Sequence, residues 1–149
     1  MRKVLHILLL LLVPGALFSQ GSNEELATYY YQNQEYEKAL LYLEDIYKKR
    51  PTDTYFQYYL RSLSEMERFE DAQDLVEKHL KKNRNRLDLY VELGSLLESN
   101  GRPEKADQQY AKALKELMPG RSQATKLANA FIQKNKNAYA LKTYQKAKR

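Results

Sequence analysis

Four short segments recur along this chain at a nearly constant interval: Tyr36-Glu37-Lys38-Ala39, Phe69-Glu70-Asp71-Ala72, Pro103-Glu104-Lys105-Ala106 and Asn137-Ala138-Tyr139-Ala140. Their final alanines are spaced 33, 34 and 34 residues apart. Each segment opens an amphipathic stretch of helical period, preceded by another helical stretch and a short polar turn. Twelve residues before each alanine stand Ala27, Leu60, Gly94 and Ala128, of which only Leu60 is large. Helices joined by so short a turn must lie antiparallel and close, and a small residue at their crossing lets the backbones approach. Larger apolar residues three and four positions away then fill the grooves. One such hairpin buries too little surface to offset the entropy of ordering it, so the units have to stack.

Composition agrees with an all-α chain. Glycine (5) and proline (4) are scarce, and good helix formers are abundant. The 13 tyrosines, with no Trp and four Phe, supply most of the aromatic packing. The spacing predicts helices over 23–33, 36–49, 53–66, 69–82, 87–100, 103–117, 121–134 and 137–148. Asn23 and Asp53 are expected as N-caps. Asn100-Gly101 should end one helix and Pro103 begin the next. Lys48, Lys49 and Arg50 suit a helix C-terminus.

The pattern resembles the tetratricopeptide repeat (TPR) family, whose units are helix–turn–helix hairpins of 34 residues. First-helix anchors of that family fall at Tyr30, at Phe56, Tyr59 and Leu63, at Tyr90, Leu93 and Leu97, and at Leu127 and Phe131. Four residues after each signature alanine come Leu43, Val76, Tyr110 and Tyr144; seven after it come Ile46, His79, Ala113 and Ala147. The family's terminating proline is matched by Pro51 and, one residue late, by Pro119. Repeat 3 matches best and repeat 2 least. The resemblance covers everything after residue 19. It implies a right-handed α-solenoid of about four hairpins, with repeats near 20–52, 53–86, 87–120 and 121–149.

In the family the first helices line a concave groove that takes extended peptides or partner helices. By resemblance that groove comprises Thr28, Tyr31, Gln57, Tyr58, Arg61, Ser64, Glu65, Asp88, Val91, Ser95, Glu98, Thr125, Asn129 and Ile132. The runs Tyr29-Tyr30-Tyr31 and Tyr55-Phe56-Gln57-Tyr58-Tyr59 cannot be buried whole, because successive helical residues point in different directions. Tyr30 and Tyr59 read as core. Tyr31 and Tyr58 read either as partner contacts or as packing against a neighbouring repeat. One TPR subclass clamps a C-terminal carboxylate with lysine, asparagine and arginine. The matching positions here are Glu24, Thr28, Tyr58, Asp88 and Glu92, and the acidic ones would repel a carboxylate.

Residues 1–19 read as a secretory leader. Arg2 and Lys3 precede the apolar run Ile7 to Val13, and Ser19 offers a small residue for cleavage before Gln20. The apolar stretch from Val4 to Phe18 is shorter than the roughly 20 residues a membrane-spanning helix needs. An uncleaved signal anchor is the alternative, and would be the chain's only membrane contact. Loss of Arg2 and Lys3 would lower the net charge from +6 to +4. The expectation is an exported protein of the periplasm or cell envelope.

There is no cysteine, which removes disulfides, thiolate chemistry and a lipidated cysteine. The two histidines are His6 and His79, too few for a His-rich metal site. No phosphate loop, nucleophile elbow or zinc-protease pair occurs. The basic stretch Lys78 to Arg86 reads as a solvated helix end and loop rather than a nucleic-acid site, and His79 as a packing or hydrogen-bonding residue. The chain is therefore read as a protein- or peptide-binding scaffold or adaptor, without catalysis, cofactor or nucleic-acid partner. The alternatives are a regulatory or assembly module of a larger exported enzyme or signalling protein, of which this would be an N-terminal portion, or self-association through the C-terminal hairpin. Leu141 and Tyr144 are expected to need cover, from a further hairpin of a longer chain or from a docked partner.

Overall fold

A computed structural model describes residues 22–148; the expected leader lies outside the described residues. Among the described residues eight helices follow one another: α1 (Asn23–Gln32), α2 (Tyr36–Lys49), α3 (Asp53–Glu65), α4 (Phe69–Lys82), α5 (Asp88–Ser99), α6 (Pro103–Glu116), α7 (Arg121–Gln133) and α8 (Asn137–Ala147). Each end lies within one residue of the expected bound. The helices pair as four stacked hairpins, α1–α2, α3–α4, α5–α6 and α7–α8, an all-α solenoid.

The four hairpin turns share one geometry. Gln34, Glu67, Gly101 and Asn135 occupy the same place in successive repeats, and each has left-handed backbone, with φ of 60°, 55°, 67° and 58°. In each turn the residue that follows donates its N–H back across the helix end: Glu35 to Tyr30, Arg68 to Leu63, Arg102 to Leu97 and Lys136 to Phe131, at 2.8–2.9 Å. This reversed bond satisfies a carbonyl that the helix terminus would leave unpaired. Only Gly101 adopts the conformation without steric cost.

The caps differ from expectation by one residue. Ser22 and Thr52, rather than Asn23 and Asp53, are the N-caps of α1 and α3. Ser22 forms a reciprocal box: its hydroxyl accepts from the Glu25 N–H, and the Glu25 carboxylate accepts from the Ser22 N–H. The Thr52 hydroxyl accepts from the Tyr55 N–H. Asn23 and Asp53 sit in the first turn instead.

The signature alanines, Ala39, Ala72, Ala106 and Ala140, are all buried, as are Ala27, Leu60, Gly94 and Ala128 at the crossings. Packing within a hairpin is tightest between α5 and α6, where the crossing residue is glycine. It is sparsest between α3 and α4, where it is leucine. A branched side chain at the crossing keeps the two backbones apart. The position that carries Tyr110 in repeat 3 carries the smaller Val76 in repeat 2, so volume is traded between the two places.

Two apolar cores result. The larger runs through repeats 2 to 4. The smaller consists of Ala27, Ala39, Leu43 and Ile46 in repeat 1, enclosed by Tyr30, Tyr31, Tyr42, Tyr55, Tyr58 and Tyr59. Tyr59 touches both cores, and this seam accounts for much of the tyrosine content.

The stacking mode changes along the array. Repeats 1 and 2 join through α2 on α3, and repeats 2 and 3 through α4 on α5. Repeat 4 instead lays α7 on α5 and α8 on α6. The connecting segment holds Leu117, which is buried, and Gly120, whose φ of +154° is open to glycine and strained for other residues.

Candidate functional site

The side of the solenoid that carries α5 and α7 has two adjoining clefts. The larger, of about 770 Å³, lies between α7 and the loop leading into α5. It is bordered by Asp53, Asn85, Arg86, Asp88, Ser122, Gln123, Lys126, Asn129 and Gln133. The smaller, of about 100 Å³, is bordered by Gln57, Asp88, Val91, Glu92, Ala130, Gln133 and Lys134. Asp88, Ala130 and Gln133 belong to both, so the two form one polar trough across α3, α5 and α7.

Arg86 fixes the floor of the trough. Its guanidinium donates to both oxygens of Asp88, at 2.8–3.1 Å, and to both oxygens of Asp53, at 3.0 and 3.1 Å. Asp88, and then Asp53, hold its pKa above the usual arginine value. The fork geometry locks the start of α5 to the start of α3, and the one guanidinium offsets one of the two carboxylate charges. Glu92 accepts from Lys134 at 2.8 Å and closes the far end. Lys126 has no ion-pair partner among the described residues. Neither do Asn85, Asn129 and Gln133 have side-chain hydrogen bonds there. The trough therefore offers carboxamides and one free ammonium.

Behind the trough lies His79, which is buried. Its Nδ1 is 2.6 Å from the Tyr47 hydroxyl, and its ring stacks on Phe56 at 4.1 Å between centroids. Its Nε2 is buried with no hydrogen-bond partner and lies 3.7 Å from Asp53. A proton on Nε2 would point towards Asp53, leaving Nδ1 to accept from the Tyr47 O–H. Burial, and then the positive charge of Arg86, lower the pKa of His79 below its ordinary value. It packs and hydrogen-bonds, as its place in the sequence suggested.

The structure divides the sequence-derived groove residues into groups. Gln57, Asp88, Val91 and Asn129 meet at the trough. Val91 is 1% exposed and serves as floor, not as a reading residue, because α7 lies against α5. Tyr31 and Tyr58 stack on each other at 4.0 Å with 19° between their planes. They join repeat 1 to repeat 2, which is the packing contact of the two readings of this pair, and both rings stay half-buried. Arg61 and Glu65, 3.5 Å apart, are exposed. Ser64 and Thr125 donate their hydroxyls to the backbone carbonyls of Leu60 and Arg121 in their own helices. Glu98 is committed internally, accepting from Lys136 at 2.6 Å and from the Tyr110 hydroxyl at 3.1 Å. Thr28 lines a shallow depression on α1 with Glu24, Glu25, Tyr29 and Gln32, apart from the trough. Ser95 is half-buried, and Ile132 is exposed.

Sequence reasoning missed Asn85, Arg86, Gln123, Lys126 and Gln133. The loop residues precede α5, outside the family's groove positions. The α7 residues enter only because repeat 4 stacks differently. No spacing in the sequence announced that change. Among the described residues no cluster of three or more His, Asp or Glu side chains is arranged to hold a metal ion.

The tetratricopeptide repeat family model matches residues 61–121, which include the second helix of repeat 2 and the whole of repeat 3. That stretch of the chain carries the sequence signature of the TPR family. Solved structures with the same fold include "Crystal structure of MamA", 19% identical over 84% of this chain and 74% of that one, with a TM-score of 0.53. Another is MamA AMB-1, 18% identical over 85% and 69%, with a TM-score of 0.52. A third, MamA 41-end from Desulfovibrio magneticus RS-1, is 15% identical over 85% and 72%, with a TM-score of 0.53. At these identities the likeness is one of TPR architecture. No curated protein matches the chain. At the general level, a TPR array of this kind is a protein-interaction scaffold.

Proposed function

We propose that the chain is a non-catalytic adaptor of the bacterial cell envelope that binds an extended peptide segment in the trough across α3, α5 and α7. The observation that carries this reading is the set of uncommitted carboxamides at Asn85, Asn129 and Gln133. A carboxamide presents one carbonyl acceptor and an N–H donor pair, which match the acceptor and donor of a peptide bond. An extended segment leaves its own backbone groups free to be bonded in this way. Lys126 adds a preference for an acidic side chain on the bound segment. Envelope location is supported by the leader-like residues 1–19. No helix among the described residues is long and apolar enough to cross a membrane.

The test is site-specific photocrosslinking in the native host. A crosslinker at Asn129 or Gln57 should capture a discrete partner, whereas one at Gln108, exposed on α6, should not. Asn129→Ala combined with Gln133→Ala should reduce capture at Gln57. Adducts formed equally at Gln108, or capture unchanged by the double substitution, would refute groove binding. Fractionation and the mass of the mature N-terminus test the location separately.

A further inference from the structure

The second helices of repeats 1 and 2 pack on each other less than α6 and α8 do. Between α2 and α4 lies a cleft of about 340 Å³, within the size range of small-molecule sites. Its apolar wall is formed by Tyr47, Pro51, Tyr59 and Leu75. The Tyr47 and Tyr59 rings stand 6.2 Å apart with 54° between their planes, an angle that offers a flat guest one face and one edge. The Tyr47 hydroxyl is bonded to His79, whereas the Tyr59 hydroxyl has no hydrogen bond among the described residues.

Four of the charged side chains that border the cleft cancel in pairs, Glu44 with Lys48 at 2.8 Å and Arg68 with Asp71 at 2.7 Å. Asp74, Lys78 and Lys82 follow one another at single turns along α4 and form no ion pair among the described residues. Two ammonium groups thus stand against one carboxylate. Like charges at that spacing repel, and a bound anion relieves the repulsion. The carbonyl end of α4 also favours a cation at Lys82, so Lys78 is the residue particular to the cleft. The corresponding cleft one repeat along, between α4 and α6, is built differently. There Leu80, Leu93 and Gln109 replace Tyr47, Tyr59 and Leu75, and Glu116 replaces Lys82. Lys112, the counterpart of Lys78, already sits over the Tyr90 ring, 5.0 Å from its centroid. Repeat packing therefore does not call for two rings and two free ammonium groups at this place.

We propose that the cleft between α2 and α4 binds a small aromatic carboxylic acid, its ring against Tyr47 and Tyr59 and its carboxylate on Lys78. The rings supply aromatic contact, and Lys78 supplies a charge-assisted bond to one carboxylate oxygen. The Tyr59 hydroxyl is free to donate to the other. Asp74 stands against a second anionic group, which favours one carboxylate over a polyanion such as a phosphate ester. The cleft shares no bordering residue with the trough across α3, α5 and α7, so this inference stands apart from the peptide reading.

The experiment is titration of the purified protein with 2-naphthoate and with its uncharged amide, 2-naphthamide, followed by calorimetry and by amide shifts in NMR. The acid should saturate one site, with shifts centred on Tyr47, Tyr59 and Lys78. Lys78→Gln changes an exposed residue, and circular dichroism checks that it folds. It should weaken 2-naphthoate about three- to tenfold and leave 2-naphthamide unchanged. Lys112→Gln, in the counterpart cleft, should alter neither. No saturable binding at millimolar acid overturns the proposal. So does equal weakening of both ligands by Lys78→Gln, which would indicate a structural effect. Shifts centred on Asn129 and Gln133 would put the acid in the trough and overturn it too. An acidic peptide that saturates the cleft where 2-naphthoate does not would make it a protein contact and likewise overturn the proposal.

Discussion

A Cβ placed on Gly94 would lie 2.2 Å from the Tyr110 ring, nearer than non-bonded atoms ever come. The ring of repeat 3's second helix therefore rests on the backbone of its first. Gly94→Ala should destabilise the protein by about 1–3 kcal/mol, the usual range for overpacking. Because the fault is one contact, Gly94→Ala with Tyr110→Leu should cost less than the two single changes added together. Urea unfolding of the four proteins measures this coupling; strict additivity would show that the clash is relieved elsewhere.

The Tyr110 hydroxyl donates a hydrogen bond to Glu98, which also binds Lys136. Burial, and then the Glu98 charge, raise the Tyr110 pKa above the ordinary tyrosine value. Glu98→Ala leaves a buried hydroxyl unpaired and should cost about 1–3 kcal/mol. Glu98→Gln keeps an acceptor and should cost distinctly less. Thermal unfolding of both variants decides this. Equal losses would mean that charge, not the hydrogen bond, matters.

His79 makes stability depend on pH. Its folded pKa is depressed, so the folded state resists protonation more than the unfolded chain does. Its contribution is present above the unfolded value of about 6.5 and is lost as pH falls through that value towards the folded one. Asp53 and Asp88 oppose the shift, and Arg86 and Lys82 reinforce it. The melting temperature should fall between pH 7 and pH 5, and His79→Gln should flatten that slope. An unchanged slope in the variant would assign the effect to carboxylates.

Three of the four left-handed turn residues are not glycine. Gln34→Gly or Glu67→Gly removes the clash of Cβ with the following carbonyl, and either should stabilise by up to about 1 kcal/mol. The greater backbone freedom of glycine in the unfolded chain subtracts from that gain. Gly101→Ala should lower stability. Chemical denaturation gives both signs directly, and a stabilised Gly101→Ala would contradict the turn geometry.

The recurring alanines were enough to place every helix within a residue, because the period of a repeat is imposed by packing and written at each crossing. Ala39, Ala72, Ala106 and Ala140 do occupy equivalent buried points. The caps were misread by one residue because Ser22-Asn23 and Thr52-Asp53 each offer two adjacent capping side chains. What stayed hidden depends on contacts between repeats. Val91 looks like a groove residue in its own hairpin and is buried by α7. Tyr31 and Tyr58 read equally as partner contacts or as packing, and only the structure shows them set against one another. The Arg86 fork joins residues 33 apart in sequence whose encounter no local pattern announces.

The separate core of repeat 1 has a consequence for how the molecule opens. Four aliphatic side chains and a jacket of phenol rings hold that hairpin; of those rings only Tyr59 also packs on the larger core, which α2 reaches separately through Leu40 and Tyr47. Helix α1, whose buried contacts lie in the small core, is therefore the unit most readily shed, and its amides should exchange with solvent before those of α5. Whatever lies across Tyr31 and Tyr58 would act as a clasp on that seam, and slowed exchange in α1 would register its arrival before its identity was known.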